Sequence, residues 1–353
     1  MADPRSVTRP RFGGWLVAVR NVLAAAVCGG LVYQRWATAR DRRRLTPPGR
    51  LVDAGGHKLH LLVMGEERGG LTVVLEAGGM ATSPQWALIQ PGIAEFATVV
   101  SYDRAGLGWS QPGPTPRDAR TIAGELHTAL RDACLPGPYV MVGASLGGPY
   151  AAVFADTYRD EVAGLVLVDS AHPDQLERLP PQTRRALAGL RMANRLLPML
   201  AGLGFTHLVD VTGILLAGLP SKLPADAAGQ LRTFAHWPGH WAAVDAEVSA
   251  WEATMEQMRR ALQGRLRDLP LTVITAPDNP GMEAMRDPWL DMQRDLAGAS
   301  STVRHQILDG VGHIQLATEP EPTRRLIQAV REIVDNHRVA GADSIAQSIR
   351  RAT

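Results

Sequence analysis

One serine, Ser145, stands between Gly143 and Gly147 at the point where the apolar run Tyr139–Val142 ends and a helical pattern begins at Leu146. A serine at a sharp turn between strand and helix has an exposed hydroxyl and an unfavourable backbone, and neighbours two residues away must lack side chains. Gly143 and Gly147 meet that need, and Gly148 lets the new helix lie against a sheet. The Leu146 amide then faces the same point as the hydroxyl, at a helix N-terminus that favours negative charge. The chemistry this arrangement suits is nucleophilic attack on a carbonyl. A tight turn with an incidental serine is the competing reading.

A serine nucleophile needs a base and a group to orient the base. The strand-turn-helix setting of Ser145 resembles the nucleophile elbow of α/β-hydrolases, and that resemblance implies the order serine, acid, histidine, each at the end of a later strand. Of ten histidines, only His313, in the turn GVGH after the last strand pattern, has that position. His57, His60 and His127 precede the serine or lie in early elements, His236 and His240 fall in a helical insertion, and His305 is mid-strand. Asp278, directly after the strand LTVITAP, is the expected acid. Asp169, ending VLVDS one strand earlier, is its rival, and Asp287 the third candidate. A second donor for the developing oxyanion should come from Gly78, Gly79 or Met80, after the strand LTVVLE. Gly79 is preferred because its backbone can approach a substrate oxygen unhindered.

The elements that must position these residues are short apolar strands alternating with helices. Such a pattern implies an α/β chain with a mostly parallel sheet covered on both faces. LVDAGGHKLHLLVMG reads as a hairpin turning at Gly55-Gly56. Strand patterns recur at Leu71, Thr98, Tyr139, Gly164, Leu271 and Thr302, and Glu321–Asn336 closes as a helix. Between Ser170 and Leu271 there is no clear buried strand, so a helical cap is expected after the sixth strand. Its Trp237, Trp241 and Trp251 could either seal the cap to the body or line a pocket. The expected organisation is a basic tail at 1–11, a candidate transmembrane helix at 12–34 and a linker at 35–49. Core segments follow at 50–170 and 270–337, with the cap at 171–269 and a tail at 338–353.

From Trp15 to Tyr33 the N-terminal apolar stretch would be about 28 Å long as a helix, which matches the hydrocarbon core of a bilayer. Trp15, Tyr33 and Trp36 fall where interfacial aromatics belong. A single-pass anchor is the expectation. A cleaved signal peptide, with Ala37-Thr38-Ala39 as a small-residue site, and a surface amphipathic helix are the alternatives. The arginines after the span (Arg35, Arg40, Arg42, Arg43, Arg44) outnumber those before it (Arg5, Arg9, Arg11), which leans toward a cytoplasmic catalytic domain. A net charge of +2 gives no argument for nucleic acid as a partner, and two cysteines make no disulfide framework. No cluster has metal-ligand spacing. His236 and His240 are separated by Pro238-Gly239, which argues against one helical face, so no metal or organic cofactor is expected.

The ordered blocks VVLEAGGMATSPQW, VVSYDRAGLGWS, GPYVMVGASLGG, GLVLVDSAHPDQ and GVGHIQL resemble the α/β-hydrolase fold superfamily over roughly residues 45–336. The likeness is greatest to bacterial members with an N-terminal hydrophobic segment. It implies a serine hydrolase with Ser145, His313 and Asp278 as triad and Gly79 and Leu146 as oxyanion hole. The expected substrate is a small-molecule carboxylic ester with apolar groups. An amidase, a peptidase or a cofactor-free haloperoxidase could use the same triad. From a different class, a membrane-anchored binding protein could occupy a disused hydrolase scaffold. Two positions depart from the family pattern: Ala144 stands where many members have histidine before the serine, and Ala77-Gly78 stands in place of His-Gly. The shared Tyr102-Asp103-Arg104 block is expected to hold an ion pair that fixes the loop near the active site.

Overall fold

The computed structural model describes residues 12–352 other than 210, 216, 217, 265 and 267. Its sheet has eight strands in the order β1-β2-β4-β3-β5-β6-β7-β8. They are β1 (Arg50–Asp53), β2 (Lys58–Met64), β3 (Thr72–Glu76), β4 (Thr98–Asp103), β5 (Tyr139–Ala144), β6 (Val162–Val168), β7 (Leu271–Thr275) and β8 (Val303–Ile307). The first two form the antiparallel hairpin. Its turn is held by the Asp53 carboxylate, which accepts from the amides of Gly55 and Gly56, and both glycines have positive φ. β2 also pairs antiparallel with β4, and the pairings from β4 through β3, β5, β6 and β7 to β8 are all parallel.

Strand residues alternate between two cores because successive side chains point to opposite faces. Tyr139 and Met141 join one apolar cluster, while Val140 and Val142 join the other. In chain order the helices are α1 (Phe12–Arg44), α2 (Gln90–Ala94), α3 (Ala119–Asp132) and α4 (Gly147–Thr157), then α5 (Gln175–Arg178), α6 (Pro181–Gly202) and α7 (Val211–Leu215). After them come α8 (Ala225–Phe234), α9 (Pro238–Ser249), α10 (Trp251–Gln263), α11 (Arg286–Ala297), α12 (Gln315–Thr318) and α13 (Pro320–Ala352). Helices α3, α4 and α11 cover one face of the sheet, and α2, α12 and α13 the other. Helix α3 shows how local the signals are. Asp118 caps it by accepting from the Thr121 amide, and Ile122, Leu126 and Leu130 form its buried face.

Between β6 and β7 the chain leaves the sheet for α5 to α10, the cap expected after the sixth strand. At the N-terminus one continuous helix runs to Arg44, ten residues beyond the expected end at Gln34. Nothing from Arg35 to Arg44 breaks a helix, and the first proline follows at Pro47. At the other end α13 likewise continues through the expected tail. The basic tail expected at 1–11 lies outside the described residues. Residues Trp15–Arg44 include a stretch long and apolar enough to cross a membrane, and that stretch is not buried against the rest of the chain.

Candidate active site

Strand β5, paired on both sides, delivers Ser145 to the carboxyl end of the sheet in a left-handed backbone conformation, φ 53°. That region is uncommon for a residue with a Cβ and is held only when its surroundings fix it. Here the Ser145 amide donates to Val168 O, and its carbonyl accepts from Gly148 N and Ala171 N, each at 3.0 Å. The glycine requirement is steric. A Cβ on Gly143 would lie 2.5 Å from the Gly147 carbonyl oxygen, and one on Gly147 would lie 2.4 Å from that of Glu76. On Gly148 it would meet Ser170 Oγ at 1.9 Å.

The histidine on the loop after β8 is oriented by the aspartate that ends β6. Asp169 Oδ2 accepts from His313 Nδ1 at 2.6 Å, which leaves Nε2 as the nitrogen available to the cavity. The other Asp169 oxygen accepts from Trp289 Nε1 at 2.7 Å and from the Ala276 amide at 3.1 Å. Burial disfavours the charged form of the His313 ring, but the hydrogen bond and negative charge of Asp169 outweigh it. The histidine is therefore held above its ordinary value. Its backbone is fixed by Asn279, whose Oδ1 accepts from the His313 amide at 2.8 Å.

The expectation that Asp278 orients His313 is corrected by this geometry. Asp278 accepts from Arg286 Nε at 2.9 Å and from the Gly310 amide at 2.7 Å. The backbone amide and then Arg286 hold its carboxyl below the usual range. Arg286 also reaches Asp309. Asp278 thus braces the loop that carries the histidine without touching the ring. Asp287, the third candidate, is 90% exposed beside Arg286. Trp289, which fixes the acid from α11, was not foreseen; a tryptophan on an amphipathic helix carries no sign of the partner it will find.

The turn after β3 lies directly on the elbow. A Cβ on Gly78 would touch Ser145 Cβ at 3.4 Å, and one on Gly79 would touch the Leu146 side chain at 3.3 Å. The Gly78 amide donates to Gln85 Oε1 at 3.1 Å, so Gly79 and Met80 are the remaining candidate donors. Arg104 fixes the whole turn from beneath. Its guanidinium donates to the carbonyls of Ala77 (2.8 Å) and Gly78 (3.0 Å), to Glu76 (2.8 Å) and, through two nitrogens, to Glu247 in the cap (2.8 and 3.0 Å). Arg104, Glu76 and Glu247 are all buried. Burial pushes Glu76 up to about 7 against the pull of Arg104, and Tyr102 Oη donates to the same carboxylate. Asp103 braces the flanking loops by accepting from the amides of Ser83 and Trp109 and pairing with His60.

Gly79, Ser145, Leu146, Asp169 and His313 line one cavity of about 490 Å³, whose walls are largely apolar. Trp86 and Trp289 come from the core, and Leu187, Leu215 and Trp251 from the cap. Of the three cap tryptophans, Trp251 therefore lines the pocket. Trp237 and Trp241 are buried within the cap, where Trp241 Nε1 donates to Ala235 O at 2.7 Å.

A parallel sheet with a hairpin at one edge, a cap after β6 and a serine on the turn after β5 define the α/β-hydrolase fold, and this chain has it. The family model described as alpha/beta hydrolase fold matches residues 72–197. Among solved structures, a thermophilic esterase from Thermogutta terrifontis shares 20% identity and superposes with a TM-score of 0.57, covering 81% of this chain and 98% of its own. A putative epoxide hydrolase from Pseudomonas aeruginosa shares 20% identity with a TM-score of 0.64, covering 84% and 98%. A curated relative, the (lyso)-N-acylphosphatidylethanolamine lipase of Bos taurus, is 24% identical over 274 residues, 71% of this chain and 76% of that protein. The chain spans 21 to 42% of the length of the first curated relatives it matches.

Proposed function

We propose that the chain is a serine hydrolase that cleaves carboxylic esters with apolar groups through an acyl-enzyme on Ser145. The observation that carries this reading is the His313–Asp169 pair opening with Ser145 onto one apolar cavity. Asp169 accepts a hydrogen bond from His313 Nδ1–H and stays ionised, which leaves Nε2 as the base. His313 then takes the Ser145 proton as the hydroxyl attacks the ester carbonyl, and the amides of Gly79 and Leu146 stabilise the oxyanion. The protonated His313 delivers its proton to the departing alcohol. It next activates the water that hydrolyses the acyl-enzyme.

The cavity is within the range that holds a drug-sized ligand, and its walls favour hydrocarbon over charge. The esterase and lipase among the similar proteins support ester substrates. Epoxide-hydrolase chemistry uses a carboxylate nucleophile, and a serine at 145 argues against it. Helix α1 would hold the enzyme at a membrane as an N-terminal anchor.

The test is hydrolysis of nitrophenyl esters of rising chain length by the full-length protein and by Ser145→Ala. The reading predicts turnover that improves with chain length and is abolished in a folded variant. Equal turnover by the variant would overturn it.

A further inference from the structure

The hydrophobic helix does not leave the protein at its polar end. Its stripe Gly30, Gln34, Ala37 and Thr38 lies against the cap, and the other faces stay exposed. Gly30 approaches so closely that a Cβ there would lie 2.4 Å from the Leu203 carbonyl oxygen. Gln34 donates to His236 O at 2.6 Å, and the Tyr33 ring meets His207 edge-on with centroids 5.3 Å apart. Tyr33 and Trp36, followed by Arg40 and Arg42–Arg44, are the residues that mark a membrane boundary. Gly30 lies about 4.5 Å further toward the apolar end of the helix. The cap turn that touches Gly30 and Tyr33 is therefore level with that boundary.

That turn and the last turns of the helix leading into it carry exposed apolar side chains on the outside, with the exposed Arg195 among them, a long side chain that can reach the headgroup level. Phe205 is 52% and Leu208 78% exposed, and Met192, Leu196 and Met199 form an exposed helical stripe on α6. Grouped exposed side chains of this kind mark an interaction surface, unlike scattered single ones. The inner face of the same helix serves the site. Thr183 and Leu187 line the main cavity, and Leu190 and Asn194 line an adjoining recess.

We propose that the outer face of the cap, formed by α6 and the turn at 203–208, is a bilayer-contact surface continuous with α1, so that α6 separates the membrane from the ester-binding cavity. The proposal rests on α1 being a membrane helix and extends the hydrolase reading to substrates resident in a bilayer. A bilayer is the occupant because the face is level with the helix's own aromatic and arginine boundary. A second copy of the chain would need no such alignment.

The test uses the full-length protein with Cys28 and Cys134 replaced by serine, reconstituted in phosphatidylcholine vesicles with and without chain-doxyl phosphatidylcholine. An environment-sensitive fluorophore is placed in turn at Met199→Cys, Phe205→Cys, Val22→Cys in the span and Asp287→Cys, a 90% exposed position on α11 of the core. The doxyl lipid should quench the labels at 199, 205 and 22 roughly twofold or more and leave that at 287 unchanged. Quenching at 22 without quenching at 199 and 205 would overturn the proposal. Absence of quenching at 22 would also overturn it, by removing the membrane helix. Quenching does not depend on turnover, so an inactive protein with quenched cap labels would sink the hydrolase reading and leave this one standing. In a second measurement, Met199→Asp/Phe205→Asp should raise KM for a vesicle-embedded ester roughly tenfold and leave a short soluble ester unaffected. Equal effects on both substrates would count against the proposal.

Discussion

Replacing Arg104 by methionine removes the cation that joins the turn at Gly78–Gly79, the core and the cap. The guanidinium makes two bonds to Glu247, one to Glu76 and one each to the carbonyls of Ala77 and Gly78, all inside the protein. Removing one partner of a buried pair costs about 3–5 kcal/mol, because the remaining charge is left without compensation. Two carbonyls that lose their donors would add about 1–3 kcal/mol each if nothing relaxed. Glu76, already near neutrality at about 7, can take up a proton and offset part of this. A net loss of about 3–5 kcal/mol is therefore expected. The assay is chemical denaturation of the full-length protein in detergent micelles, beside Glu247→Gln and the double variant. The double variant should lose less than the sum of the two singles, because the unpaired charge at 247 is gone. In the surviving folded fraction kcat should fall more than KM rises, because the carbonyls at 77 and 78 set the direction of the Gly79 amide. A loss below about 1 kcal/mol, the scale of an exposed ion pair, would refute the clamp.

Three further outcomes are expected. His313 must be neutral to act as base and its proton is held more tightly than in a free histidine, so kcat/KM should rise with pH to a midpoint above 6.5; a midpoint at or below that value would contradict the pairing with Asp169. Gly148→Ala should destabilise by about 1–3 kcal/mol through overpacking against Ser170, and Ser170→Gly should recover part of the loss in a melting series. Trp289→Phe removes one of two donors to Asp169 Oδ1 and should reduce kcat by roughly tenfold with little change in KM, measured on a soluble ester.

What could be read from the chain followed how local each signal was. The elbow at Ser145, the turn at Gly78–Gly79 and the loop of His313 are short motifs beside strands, and the structure brings all three to one cavity. The acid was not legible in the same way. Asp169 and Asp278 both end parallel strands, and only the path of the loop at 308–313 decides which meets the imidazole. The Tyr102-Asp103-Arg104 block read as an ion pair near the site, and Arg104 does bind Glu76 and the turn. Its second partner, Glu247, lies 143 residues away in the cap, and no local pattern connects the two. The helix from Phe12 to Arg44 was underestimated because hydropathy marks where a bilayer span ends, whereas a helix continues until something breaks it.

The most direct measurement is the rate at which a fluorophosphonate phosphonylates Ser145, located by peptide mass mapping, in the wild type, Asp169→Asn and Asp278→Asn. Adduct on Ser145 in the wild type is expected, with a similar rate in Asp278→Asn and a fall of up to about 10⁴-fold in Asp169→Asn, the loss seen when a triad aspartate is neutralised. No adduct on a folded wild type, or a greater loss in Asp278→Asn than in Asp169→Asn, would contradict the account.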